Sequence, residues 1–120
     1  MDMLVSQAIE RQKLLKTPPD TTVAKAARLM GIKRVGAIAV VDGERLVGIF
    51  TERDALVRVI AQGRDPVYTR VEEVMTRAPV TVGPEETLES ARSTMRRLGF
   101  RHMPVVAAGQ AVGMLSTRET

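Results

Sequence analysis

The sequence predicts an α+β fold made of two tandem copies of one helix-strand-strand-helix unit, packed on each other with pseudo-twofold symmetry. Two observations support this prediction. When the chain is shifted by 65 residues against itself, residues 19–54 align with residues 84–119 without a gap, and both copies then show the same succession of apolar patterns. One unit alone cannot bury the faces of so small a sheet, so the two copies are expected to pack together.

The two copies agree mainly at apolar positions, which is typical of a repeated supersecondary unit. The identical pairs are Pro19/Pro84, Thr22/Thr87, Ala26/Ala91, Met30/Met95, Val40/Val105, Val41/Val106, Val47/Val112, Gly48/Gly113 and Arg53/Arg118. The second copy reaches Thr120 at the point where its final helix should begin. We therefore expect the second copy to lack that helix.

Helices are predicted where apolar residues recur with a spacing of three and four. This spacing marks residues 23–30 in the first copy and residues 88–98 in the second. A further helix is expected after Thr51, with three apolar residues on one face, and a short helix is expected before the second copy. The residues concerned are Leu56, Val59 and Ile60 in the former and Val71, Val74 and Met75 in the latter.

Each copy also contains a pair of short apolar runs that predicts a β-hairpin. In the first copy, residues 37–41 and 46–50 flank Asp42-Gly43, a strong turn signal. In the second, residues 103–106 and 111–115 flank a weaker turn at Ala108-Gly109. The predicted boundaries are residues 1–62 for the first repeat with an N-terminal helix, 63–70 for a linker containing Gly and Pro, and 71–120 for the second repeat. Together the two repeats are expected to form one module.

Composition excludes several classes of site. The chain has no cysteine and a single histidine, His102, so it offers no disulfide, no thiol nucleophile and no site built on two histidines. It also shows no Ser-His-Asp set, no close acid pair and no glycine-rich phosphate loop before a lysine. We therefore expect no metal, no catalytic cofactor and no enzymatic activity. The absence of a long apolar run favours a cytoplasmic protein without a membrane segment.

The net charge of +4 and a pI near 10.1 raise the question of an anionic partner. Acidic and basic residues alternate along most of the chain, and the one dense basic cluster comprises Arg96, Arg97, Arg101 and His102. This cluster suits an anion site, although for Arg96 and Arg97 a solvated helix face is the favoured interpretation. Nucleic acid is a less suitable partner, because the chain contains only one tyrosine, two phenylalanines and no tryptophan to stack on bases.

One motif links this repeat to a known family. The segment from Gly48 to Asp54 resembles the Gly-x-x-Thr/Ser-x-x-Asp signature that closes each cystathionine beta-synthase (CBS) domain, and residues 40–43, 74–76 and 101–106 resemble other parts of that domain. The chain is thus similar to a stand-alone CBS pair, or Bateman module. The resemblance implies a regulatory adenine-nucleotide sensor, usually dimeric. The ligands known in the family include AMP, ADP, ATP, NAD and S-adenosylmethionine.

The motif has a physical interpretation of its own. Thr51 lies where a strand passes into a helix, beside unpaired backbone N–H groups that suit a phosphate. Asp54 follows one turn later, and its two oxygens can accept both hydroxyls of a ribose. The alternative is a capping box, in which Thr51 caps the helix and Asp54 reaches back to it. Both roles can hold together.

The resemblance also implies where a nucleotide binds, namely between the two copies. The residues so implied are Thr51, Arg53, Asp54, Val80, Arg101 and His102. Val80 would line the adenine pocket, and the two basic residues would contact the phosphates. For His102 the alternative is a partly buried histidine bonded to a backbone carbonyl.

The pseudo-equivalent second site departs from this pattern in two ways. Ser116 matches Thr51, but Glu119 stands where the motif has aspartate, and its longer side chain displaces the carboxylate. Gly36 and Ala37 occupy the positions that correspond to Arg101 and His102, so the phosphates would lose their cations there. We therefore expect this site to be impaired, which leaves one competent site per chain.

The sequence thus favours a nucleotide-binding regulatory module in which the ligand clamps the two repeats and biases the state that an effector protein recognises. The alternative function is a ligand-free dimerisation scaffold. A homodimer is expected in either case, with an interface that includes the helix carrying Leu56, Val59 and Ile60.

Overall fold

Helices and short strands follow one another twice along the chain in the computed structural model, which describes residues 2–117. The elements in order are α1 (Val5–Ala8), β1 (Lys16–Thr17), α2 (Val23–Lys33), β2 (Ala37–Asp42), β3 (Arg45–Thr51), α3 (Glu52–Asp54), a π-helical segment (Ala55–Ile60), α4 (Val71–Val74), β4 (Thr76–Arg77), α5 (Leu88–Leu98), β5 (His102–Ala107) and β6 (Gln110–Ser116). The helix expected to close the second copy, together with Glu119, lies outside the described residues.

The strands of the described chain form one sheet in the order β1-β2-β3-β6-β5, with β4 also paired to β3. Within each copy the two long strands form an antiparallel hairpin. The two hairpins meet through a single pair, Arg45 with Gln110. The hairpins also pack on each other through side chains of β2, β3 and β6, which form a buried cluster of Ala37, Ala39, Val41, Ile49, Ala111 and Met114.

The 65-residue offset predicted from the sequence is confirmed element by element. Helices α2 and α5 are each 11 residues long and are capped at equivalent threonines, Thr22 and Thr87. Each hairpin contains a β-bulge, and the two bulges fall at Val40/Val41 and Val105/Val106. Because even this local irregularity is repeated, the two copies share one backbone plan and form a tandem α+β repeat.

The short helices before each repeat pack on the other repeat and so interlock the two copies. Val5 of α1 donates its N–H to Glu86 O at 2.8 Å, and Val71 of α4 donates its N–H to Thr21 O at 2.8 Å. Both valines are fully buried. Helix α1, which precedes the first repeat in the chain, therefore contributes to the core of the second repeat.

Each repeat has its own apolar core beneath its hairpin. The first includes Val23, Ala26, Met30, Ile38, Val40, Phe50, Val59, Val71, Val74 and Met75. The second includes Val5, Val82, Ala91, Met95, Met103, Val105 and Leu115. The predicted helical stripes are thus largely confirmed, although Ala27 and Leu98, which the spacing placed on them, are exposed.

The helix predicted after Thr51 differs from expectation in its geometry. It begins as α3 but continues as a π-helix, whose hydrogen bonds run from residue i to i+5. The wider turn does not keep a spacing of three and four on one face. Accordingly Val59 is buried, whereas Leu56 and Ile60 are 60% and 68% exposed. The prediction that these three residues share one face is wrong.

The two predicted turns are both present, with different backbone conformations. In the first hairpin, Gly43 alone adopts a positive φ, of 68°. In the second, Ala108 and Gly109 both do, at 52° and 80°. Two successive positive φ values are the requirement of a type I′ turn, so the alanine occupies a position that favours glycine or asparagine.

Candidate functional site

Asp54, expected to hold a ribose, is buried at the start of α3. Its Oδ2 accepts hydrogen bonds from Thr51 N at 3.0 Å and from Thr51 Oγ1 at 3.1 Å, and its own N–H donates to Thr51 Oγ1 at 3.1 Å. This reciprocal arrangement is a capping box, which satisfies backbone groups that the helix start leaves unpaired. The capping interpretation of the two residues is therefore confirmed.

Two further residues, which the sequence reasoning missed as partners, contact the same carboxylate. The Thr76 hydroxyl donates to Oδ1 at 3.3 Å and to Oδ2 at 3.4 Å. Arg58 Nε lies 3.5 Å from Oδ1. A signal for Arg58 was available, since it stands four residues after Asp54, the spacing of ion pairs along a helix. The carboxylate is therefore already contacted by Thr51, Thr76 and Arg58.

The other residues expected around Asp54 lie at or near the protein surface. Arg53 and Arg101 are exposed, and Val80 is 45% exposed. The main chain of Arg101 is fixed, because its carbonyl accepts a hydrogen bond from Thr117 N at 3.1 Å. His102 is half-buried at the first residue of β5, where it pairs with Ser116.

A cavity of about 130 Å³ lies between the two repeats, beside Ser116. The residues that line it are Gln12, Lys13, Leu14, Leu15, Arg34, Val35, Gly36, Ala37, His102, Met114 and Ser116. The structure therefore brings together all the described residues of the site expected to be impaired, and adds His102, which was expected at the Asp54 site. Leu15, the counterpart of Val80 at the 65-residue offset, also lines this cavity.

Two basic residues line this cavity, where the sequence led us to expect no cation. The substitution of Gly36 and Ala37 for the basic pair of the other copy suggested that no cation would be present. Lys13 and Arg34 line the cavity instead. Neither belongs to the family motif, so their role was visible only once the loop before β1 and the end of α2 were placed together.

Gly36 lies close to side chains from both repeats. A Cβ at this position would overlap the Glu52 carboxylate and would lie 3.0 Å from His102 Nε2. The Gly36 carbonyl accepts a hydrogen bond from Glu52 N at 3.0 Å. A side chain at this position would therefore have to shift the Glu52 carboxylate in the first repeat and the His102 ring in the second. One acidic group therefore lies beside the cavity, although the described lining residues include no acid.

The loop that carries Lys13 is held in place by an amide side chain. Gln12 accepts a hydrogen bond from Met114 N at 2.7 Å and donates one to Met114 O at 2.8 Å. At the equivalent place in the first repeat, the backbone of β4 pairs with β3, with Thr76 opposite Ile49. The Gln12 amide thus takes the place of a strand backbone and fixes one wall of the cavity.

A second depression, an open groove of about 590 Å³, lies between the π-helical segment and α4. It is lined by Val57, Arg58, Gln62, Arg64, Glu73 and Val74. Glu73 accepts a hydrogen bond from Arg70 N at 2.8 Å and pairs with Arg64. The Arg70 N–H, followed by Arg64, holds the pKa of Glu73 below its ordinary value of 4.5.

Within residues 2–117, no group of three or more potential ligand side chains is arranged to hold a metal ion. Among the same residues, none of the helices combines the length and apolar character needed to cross a membrane.

The tandem hairpins and the capped Thr51-x-x-Asp54 turn define a tandem α+β repeat fold. Comparison with known proteins assigns the family. The family model for the CBS domain matches residues 5–61 and 71–119, so the chain belongs to the CBS domain family and contains two copies of the domain. The resemblance of the motif is therefore confirmed.

Two relatives and one solved structure illustrate this membership. The chain is 40% identical over 104 residues to the CBS domain-containing protein CBSCBSPB3 of Arabidopsis thaliana, covering 86% of this chain and 19% of that protein. It is 40% identical over 98 residues to the CBS domain-containing protein YhcV of Bacillus subtilis, covering 82% and 69%. A CBS domain protein of Pyrobaculum aerophilum complexed with AMP matches with a TM-score of 0.88 and 27% identity, over 98% and 89% of the two chains. The chain thus spans about a fifth of the length of the Arabidopsis relative.

Proposed function

We propose that this chain is a regulatory module that binds an adenine nucleotide at the junction of its two CBS repeats. The observation that carries the proposal is the cavity beside Ser116, whose walls come from both repeats. A ligand that contacts both walls favours one arrangement of the repeats and so shifts the population that an effector protein recognises. The AMP complex of the related Pyrobaculum protein supports the choice of ligand class.

We propose that the two pseudo-equivalent sites differ in how accessible they are to a nucleotide. The cavity beside Ser116 is open, whereas the Asp54 carboxylate is 5% exposed and surrounded by donors. We assign the first nucleotide to the cavity. A second place at Asp54, with Thr51, Arg53, Val80 and Arg101 around it, becomes available when ribose hydroxyls replace the capping groups. This order is the reverse of the one that the motif alone suggested.

Both charged residues of the lining are cations and favour an anionic ligand, although the Glu52 carboxylate lies beside Gly36. Lys13 and Arg34 suit the phosphates of AMP, ADP, ATP or NAD, because charge-assisted hydrogen bonds to phosphate are the strong ones. S-adenosylmethionine carries a positively charged sulfur and suits this lining less well. The cavity is smaller than the roughly 300 Å³ usual for a bound small molecule, so part of the nucleotide lies outside it or the repeats move apart.

Purified protein titrated with AMP, ATP, NAD and S-adenosylmethionine, with melting temperature as the readout, tests the proposal. A ligand at one hundred times its dissociation constant stabilises the protein by about 2.7 kcal/mol. Arg34→Gln is expected to weaken AMP by about tenfold while leaving adenosine nearly unchanged, since it removes a charged hydrogen bond worth roughly 1.5 kcal/mol. Lys33→Gln is the matched control, because Lys33 is the neighbouring exposed cation and does not line the cavity.

A ligand-free dimerisation scaffold is the second candidate function. It is favoured by the apolar side chains that the π-helical segment leaves in solvent, namely Leu56, Val57 and Ile60. We propose a homodimer through this face under either function. No thermal shift with any of the four nucleotides, together with a dimeric mass in solution, would favour the scaffold and contradict the sensor.

A further inference from the structure

Arg58 reaches out of the π-helical segment in two directions. Its Nε lies 3.5 Å from Asp54 Oδ1. Its Nη1 donates hydrogen bonds to the main-chain oxygens of Val74, at 3.4 Å, and Met75, at 3.1 Å. These oxygens belong to the end of α4, where a helix leaves carbonyl groups without partners. One guanidinium therefore joins the buried carboxylate to the segment that leads into the second repeat.

The carboxylate depends on this contact for its charge balance. A buried carboxylate is costly unless a cation or several donors compensate it. Thr51 and Thr76 supply the donors, and Arg58 supplies the cation. The Thr76 hydroxyl and Arg58 both approach Oδ1, so a ribose hydroxyl bound at this oxygen competes with them.

The segment that carries Arg58 has an uncommon geometry. Its hydrogen bonds include Ala61 N to Leu56 O at 2.9 Å and Arg64 N to Val59 O at 3.0 Å, both spanning five residues. Segments of this kind are rare and occur frequently at functional sites. This one begins immediately after Asp54, and it carries both the buried Val59 and the exposed face proposed for dimerisation.

We propose that Arg58 is a positioning residue, which holds the Asp54 carboxylate against the end of α4 and transmits the occupancy of that carboxylate to the π-helical segment. The inference rests on the proposed function, because it requires a nucleotide at Asp54. When ribose hydroxyls replace the Thr76 hydroxyl, the ion pair of Arg58 with Oδ1 and its hydrogen bonds to the two carbonyl oxygens change. The backbone of residues 55–61 then responds, which changes the exposed face beside it.

Hydrogen exchange of the full chain with and without saturating AMP tests this coupling, with AMP affinity measured separately by calorimetry. AMP is expected to change the exchange of amides in residues 55–64 in the wild-type protein. Arg58→Gln is expected to lose this change, while its AMP affinity falls only about two- to fivefold, as for an ion pair whose cation is half-exposed. Arg64→Gln is the matched control and should respond like the wild type, because Arg64 lines the same groove but pairs with Glu73.

The possible outcomes separate this inference from the proposed function. Absence of AMP binding by calorimetry overturns both. Binding without any change at residues 55–64, or an unchanged response in Arg58→Gln, overturns the role of Arg58 and leaves nucleotide binding intact. Arg58→Lys is the second variant in case the glutamine variant does not fold. It keeps the charge but lacks the planar fork that reaches the carboxylate and both carbonyls, so a reduced response is expected.

Discussion

The two repeats end their hairpins in different ways although their backbones match. In the first, Thr51 and Asp54 close on each other in a capping box, and the carboxylate is buried. In the second, Ser116 lies beside an open cavity that residues from both repeats line. The scaffold is preserved, whereas the residues around the strand ends have diverged, since Gly36 and Ala37 stand where the other site has Arg101 and His102. Equivalent positions predict equivalent packing, but they do not predict equivalent sites.

The largest expected effect is on the free energy of unfolding, and it tests whether the two repeats share one core packing. Met30 and Met95 are an identical pair at the 65-residue offset, and both are buried in the cores of their repeats. We expect Met30→Ala and Met95→Ala each to lower the free energy of unfolding by about 2–5 kcal/mol, the usual cost of truncating a buried methionine. Urea denaturation measures both.

An exposed methionine provides the control for these two variants. Met3 is half-exposed, and Met3→Ala should change the free energy of unfolding by no more than about 0.5 kcal/mol. A cost well below 1 kcal/mol at either core methionine would contradict the view that the two repeats share one packing plan.

The two strand ends should respond differently to the loss of their motif residues. Asp54→Ala removes half of the capping box and should lower the free energy of unfolding by about 0.5–2 kcal/mol. If Asp54 also holds a ribose, AMP affinity falls by about 10- to 150-fold, since hydrogen bonds to a charged group are worth roughly 1.5–3 kcal/mol. Melting curves and calorimetric titration of the same variant separate the two roles.

Ser116→Ala is the counterpart at the other strand end. It removes a neutral hydroxyl beside the cavity, and we expect AMP affinity to fall by about two- to tenfold, the worth of a neutral hydrogen bond. Unchanged AMP affinity in both variants would contradict nucleotide binding at either strand end. Unchanged affinity in Asp54→Ala alone, with a lowered melting temperature, would leave that residue as a helix cap only.

The helices and hairpins could be predicted from the sequence because each depends on a local pattern of residues. Spacing of apolar residues predicted α2 and α5, and turn residues predicted both hairpins. The repeat itself predicted that these elements recur at one offset. The face of the helix after Thr51 was predicted wrongly, since apolar spacing assumes α-helical geometry and the π-helix turns more widely.

The candidate site was less accessible to sequence reasoning, because its walls are assembled from segments far apart in the chain. Thr51 and Asp54 were recognisable as a cap because they are three residues apart. Lys13 and Arg34 meet Ser116 only through tertiary packing, and no local pattern links them. The expectation of an impaired second site considered the motif positions alone and missed cations supplied from elsewhere.

The two hairpin turns offer a smaller contrast. Ala108 adopts a positive φ of 52°, a conformation that costs a non-glycine residue about 1–2 kcal/mol. Ala108→Gly is expected to raise the free energy of unfolding by up to about 1 kcal/mol, after the entropic cost of glycine is subtracted. Gly43→Ala, at φ 68°, should lower it by about 1 kcal/mol. A stabilising Gly43→Ala or a destabilising Ala108→Gly, measured by thermal unfolding, would contradict this account of the turns.

The smallest expected effect distinguishes the starts of the two short helices. Gln7 and Glu73 each occupy the third position of their short helix. Leu4 N donates to Gln7 Oε1 and Arg70 N donates to Glu73 Oε2, each at 2.8 Å. Only Glu73 titrates, and its pKa is lowered by the Arg70 N–H and by Arg64. A carboxyl whose pKa is lower in the folded state stabilises the fold above its unfolded pKa, and this contribution is lost as the pH falls through the lower, folded value.

The variant Glu73→Gln makes the start of α4 resemble that of α1. We expect it to be less stable than the wild type at neutral pH and to approach wild-type stability as the pH falls below the ordinary glutamate value of 4.5. Glu72→Gln, in the same first turn, is the control and should lack this convergence, because the Arg70 N–H donates to Glu73. Urea denaturation at a series of pH values measures the difference. A difference between wild type and Glu73→Gln that stays constant or grows as the pH falls would contradict the lowered pKa of Glu73.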